Sequence, residues 1–98
     1  MTIFINIQGK KQILEALFPY ADKVFQIIFN DYDVITNSFW KLEKKDNSNL
    51  EKMIWKFDNI DNVSFETIQS RIMNWIPANI ECWVSETGPF MQDWKEVK

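Results

Sequence analysis

With 98 residues, 46% of them hydrophobic and 15% aromatic, the chain is too short for two domains and too apolar for disorder. Eleven basic against fourteen acidic side chains leave a net charge of −3, which excludes the basic footprint of a non-specific nucleic-acid binder. Histidine is absent and cysteine occurs once, so the commonest general base, an internal disulfide and a cysteine-built zinc site are all excluded.

Charged residues interrupt every apolar run well short of the roughly 18 residues that span a bilayer. Residues Met1 to Ile7 carry neither a basic n-region nor a small-residue cleavage site. The expectation is one cytoplasmic domain over residues 1–98, with no membrane and no cofactor.

In chain order, Ile3, Ile5 and Ile7 alternate with Thr2, Phe4 and Asn6, the period of a half-buried strand. Gln8 and Gly9 break it. Ile13, Leu14, Ala16 and Leu17 then fall at helical spacing, and Pro19 is expected to close this first helix. Residues 19–37 read two ways. Val24 to Phe29 is rich in β-branched and aromatic residues and leans to a strand, while Ala21, Val24, Phe25, Ile28, Phe29 and Tyr32 also fit a helical stripe. Asn30-Asp31-Tyr32-Asp33 is the turn that follows.

Ser38 to Lys44 and Glu51 to Phe57 flank Asp46-Asn47-Ser48-Asn49, a polar connection of the kind that joins a hairpin. Pairing residues whose numbers sum to 95 sets Trp40 against Trp55, Leu42 against Met53 and Lys44 against Glu51 on one face, with Glu43 against Lys52 on the other. Ser64 is placed to cap a second helix, Val63 to staple against Ile68, and Glu66 to favour its first turn. Phe65, Ile68, Ile72, Trp75 and Ile76 form its apolar stripe, and Pro77 ends it.

Ile80, Cys82 and Val84 alternate with Glu81, Trp83 and Ser85, a last strand. The tail, 86–98, turns at Thr87-Gly88-Pro89, and one helical turn would gather Phe90, Met91 and Trp94. It is expected to pack on the domain or at an interface. This element order is close to the split βαβ pattern. The expected fold is α+β, an antiparallel sheet of four to five strands with two helices on one face, ferredoxin-like or a similar two-layer sandwich.

Little chemistry is on offer. Cys82 shares the apolar face of its strand and reads as an inert core thiol. The acid pairs Asp31 with Asp33, Asp58 with Asp61, and Glu81 with Glu86 lack the ligand count of a calcium loop and read first as turn and strand-end residues. No metal site is expected. Gly9 and Gly88 stand alone, so there is no phosphate cradle. Phe4, Phe39 or Trp83 beside Lys41, Lys52 and Lys56 could stack bases, but the basic-and-aromatic run of an RNA-binding sheet is missing.

Five tryptophans are a heavy load for this length. Trp40, Trp55 and Trp75 are accounted for by apolar faces, whereas Trp83 lies among Glu81, Ser85 and Glu86, either as an exposed anchor or over a second small core with Phe90 and Trp94. The expected function is therefore that of an acidic, non-catalytic module that blocks a basic protein, as an immunity protein does to a bacterial toxin. Asp31, Tyr32, Asp33, Asp58, Asp61, Glu81, Trp83 and Glu86 are its candidate contact residues. A nucleic-acid or small-ligand binding domain is the alternative, and a homodimer or larger homo-oligomer stays open.

Overall fold

The computed structural model describes residues 1–46, 48–89 and 92–97. Its elements are β1 (Ile3–Lys10), α1 (Lys11–Asn30), β2 (Asn37–Lys44), β3 (Leu50–Phe57), α2 (Phe65–Met73), β4 (Glu81–Ser85) and β5 (Trp94–Glu96). The strands form one antiparallel sheet in the order β4-β1-β3-β2-β5. β3 lies between β1 and β2, the split βαβ arrangement of a ferredoxin-like domain, and β5 is added outside β2.

Alternation decides what each face does. Ile3, Ile5 and Ile7 stand opposite Phe57, Trp55 and Met53 in register, and these six are buried under the helices together with Val84 of β4. Against them α1 sets Leu14, Ala21, Phe25, Ile28 and Phe29, and α2 sets Ile68 and Ile72. Trp55 is at the centre, its ring 4.9 Å from that of Phe25 and its indole N–H donating to Asp22 at 2.9 Å.

The first helix does not stop at Pro19. It runs on to Asn30, and the strand expected over Val24 to Phe29 is helical instead. Two physical reasons decide this. Pro19 lies on the exposed side of the helix, where the one hydrogen bond it removes leaves the Glu15 carbonyl to solvent. The sheet's apolar face also needs cover over its whole length, and burying Phe25, Ile28 and Phe29 there, with Ala21 beside them, outweighs the modest helix propensity of Phe and Ile.

The hairpin register is also shifted. Paired residues sum to 94, so Phe39 meets Trp55, Trp40 meets Ile54 and Glu43 meets Glu51. Phe39 and Lys41 thus face the helices, while Trp40 and Leu42 face the other side. That side is partly apolar as well, because Trp94 of β5 packs there beside Leu42 and Ile54. Gly88 lies over Phe4, where an added methyl would sit 3.8 Å from the ring. A second small core results, made of Leu42, Ile54 and Trp94 with Phe4, Trp40 and Leu50 at its rim. Trp94 belongs to β5 and not to a helical turn, and Phe90 and Met91 lie outside the described residues.

α2 begins as its sequence requires: the Ser64 hydroxyl accepts from the Thr67 amide at 3.2 Å, with Glu66 in the first turn. It ends earlier than expected, at Met73, so Trp75 leaves the apolar stripe and is 53% exposed. Replacing Ser64 by Ala is expected to cost about 1 kcal/mol, read as a lower denaturant midpoint at unchanged slope.

Candidate functional site

The sheet register sorts the eight candidate residues. Asn37, which starts β2, is paired with Phe57, which ends β3, so the loops 31–36 and 58–64 emerge side by side from one end of the sheet. Val34 and Ile60 pin these loops to the main core, the Val34 amide donating a hydrogen bond to the Phe29 carbonyl at 3.0 Å and the Ile60 amide donating one to the Met1 carbonyl at 3.0 Å. The turns are tight because Asp33, Asn59 and Asn62 adopt left-handed backbone, with φ of 63°, 61° and 62°, which Asn and Asp tolerate better than other side chains.

Asp31, Asp33, Asp58 and Asp61 are all exposed at this end. Asp31 is held by Arg71 at 2.8 Å, and Asp58 accepts from Thr2 at 2.8 Å and lies 3.8 Å from Lys56. Among the described residues Asp33 and Asp61 have no ion pair. Asp31 and Asp33 also sit at the C-terminus of α1, where the helix carbonyls already present negative charge, and the last turn of α1 holds no basic residue. Carboxylates here work against the helix, and the result is a negative pole.

Tyr32 is not an anchor aimed at solvent. It is half-buried, with the Arg71 guanidinium 5.5 Å from its ring centre and donating to its hydroxyl at 3.1 Å. The exposed apolar group of this loop is Ile35, at 76%, which residue patterning passed over because residues 19–37 read as strand and turn.

Glu81, Trp83 and Glu86 are elsewhere. Glu81 pairs with Gln8 at the far end of the sheet, and Glu86 follows Ser85, which pairs with Phe4 near the acidic pole. The two glutamates therefore sit at opposite ends of β4, about 17 Å apart along an extended strand, and form no pair. Trp83 pairs with Asn6 on the face turned away from the helices and is 49% exposed. It lines a groove of about 360 Å³ with Asn6, Gln8, Lys52, Thr87 and Pro89.

The reactive inventory is thin. Cys82 faces the helix side of β4, and burial pushes its thiol up to about 12, which keeps it protonated. Native Cys82 is expected to resist a thiol reagent at neutral pH and to react fully once unfolded. Among the described residues no three acidic or cysteine side chains gather to hold a metal ion. Comparison of the chain with protein-family models, with curated proteins and with solved structures finds no match.

Proposed function

We propose that this chain is an acidic, non-catalytic binding module that docks on a basic protein and covers its cleft, as the immunity protein of a bacterial toxin or an enzyme inhibitor does. What supports the reading is the pole itself. Four carboxylates from two loops share one end of the sheet; Arg71 and Lys56 offset Asp31 and Asp58, while Asp33 and Asp61 have no ion pair among the described residues and Asp33 opposes the dipole at the C-terminus of α1. Charge held against local stability is charge with a use outside the fold. Such a pole speeds encounter with a cationic cleft, and Ile35 in its midst offers an apolar contact once the two surfaces meet.

The reading is tested by capture from extracts of the source cells on the immobilised chain at low salt, beside an Asp58→Lys/Asp61→Lys variant. The expected result is one basic protein held in equal stoichiometry, released by salt, and bound about 100-fold more weakly by the variant. Capture that the variant and salt leave unchanged would refute the electrostatic basis.

One observation favours a second reading, a small planar ligand. In the groove beside Trp83 the buried Asn6 side chain leaves its Oδ1 without a hydrogen bond, and burial, helped by Lys44, lowers the Lys52 ammonium pKa. Titration with nucleosides and with single-stranded RNA separates the cases: Trp83 fluorescence quenches if the groove is the site and stays constant if the pole is.

A further inference from the structure

We infer that the outer face of α1 is a self-association surface, and that its occupant is the α1 of a second copy of this chain, running antiparallel. The buried side of α1 uses Leu14, Ala21, Phe25, Ile28 and Phe29, which leaves Ile13, Ala16, Tyr20, Lys23, Ile27 and Asn30 exposed on the other side. These six are spaced by alternating steps of three and four, the seam of a two-helix coiled coil. Ile13, Tyr20 and Ile27 are exposed by 45%, 44% and 54%, a heavy apolar load for a solvent face. The seam borders a groove of about 420 Å³ between α1 and α2, walled by Val24, Arg71 and Trp75.

The case for a second copy as occupant is that the seam complements itself. Antiparallel helices that share such a seam set each residue against the one whose number makes the sum 43. Ala16 then meets the partner's Ile27, small against large. Tyr20 meets the partner's Lys23, an ammonium over an aromatic face. Ile13 meets the partner's Asn30. Among the described residues Lys23 has no ion pair within its own chain.

A 20-residue helix is about 30 Å long, so one seam buries area at the low end for a specific interface, and the dimer is a weak one, with Kd of about 1–100 μM. Asp58 and Asp61 stay open in it, so this inference does not depend on the proposed partner.

Sedimentation equilibrium of the full chain from 5 μM to 1 mM is the test. The expected result is a monomer–dimer equilibrium that Ile27→Glu abolishes while circular dichroism stays native. Tyr20→Leu and Lys23→Gln should each weaken it about threefold, and the two together no further, as one shared contact requires. A monomer throughout, a dimer that Ile27→Glu leaves intact, or a double variant weakened by the product of the singles would each overturn the inference. Capture of a basic protein by Ile27→Glu would show the acidic pole working independently of the seam.

Discussion

Replacing Trp55 by Ala is expected to remove about 4 kcal/mol of stability, a large share of the roughly 5–15 kcal/mol that holds a domain of this size together. Trp55 is fully enclosed on the central strand β3, with Phe25 edge-on at 4.9 Å, Phe39 at 5.0 Å and Phe18 stacked at 6.0 Å. Truncation leaves a cavity with three aromatic walls, two on α1 and one on β2, which cannot close without moving α1 off the sheet. It also frees Asp22 from the indole N–H. Trp55→Phe separates the two contributions, since it keeps an aromatic ring and loses only the hydrogen bond and part of the volume, for about 1–2 kcal/mol. The check is urea unfolding of both variants. A loss below about 2 kcal/mol for Trp55→Ala would mean that the aromatic cluster is not the keystone of the two layers.

The same residue shows why some of the fold was legible and some was not. β1, β3 and β4 were readable because alternation in Ile3 to Ile7, Met53 to Phe57 and Ile80 to Val84 has one clear apolar face each. α2 was readable because its start is written in side-chain chemistry, Ser64 to the Thr67 amide. β2 was not, because Trp94 of β5 gives the outer face a small apolar core of its own, so both sides of β2 carry buried apolar residues. Phe39 and Trp40 then compete as partners of Trp55, and alternation cannot choose between them.

α1 hid for a related reason: its β-branched residues and Pro19 argue locally against a helix, and only the demand of the sheet for cover reverses them. Of the candidate site, the acidic loops were visible as turn residues, but which loops share an end is set by strand order, which no local pattern carries. The exposed seam of α1 was missed because Ile13 and Ala16 read as the buried stripe of a helix ending at Pro19 and Ile27 as part of a strand, and Ile35 because it follows an apparent turn with no pattern of its own. The spacing of seven between Ile13, Tyr20 and Ile27 was the signal that could have revealed the seam.

Glu51 should make stability depend on pH in the direction opposite to an ordinary paired carboxylate. Its side chain is fully buried on the helix side of β3, both oxygens lack a hydrogen bond, and the Lys41 ammonium is 3.7 Å away. Glu43 lies directly across the ladder. Burial raises the Glu51 pKa above its ordinary 4.5, and Glu15 and Glu43 add to this while Lys41 and Lys11 oppose it. Lys41 is divided, since it is also bonded to Glu15 at 3.2 Å.

A raised folded value means that the native state holds this proton more tightly than the unfolded chain does. The penalty is therefore fully present above the folded pKa and disappears as pH falls through it towards 4.5 and below. Glu51→Gln removes the charge and should stabilise the protein by about 1 kcal/mol at pH 7.5, an advantage that shrinks to nothing near pH 4. Lys41→Met does the reverse, costing about 2 kcal/mol at pH 7.5 by leaving Glu51 without its nearest cation, and much less in acid. In the Glu51→Gln background the Lys41 substitution should lose most of that cost, because the charge it compensates is gone. Melting temperatures of the four proteins at the two pH values decide it. If Glu51→Gln melts below the parent at pH 7.5, the Lys41 pair outweighs the cost of burial, and the carboxylate stabilises the fold instead of taxing it.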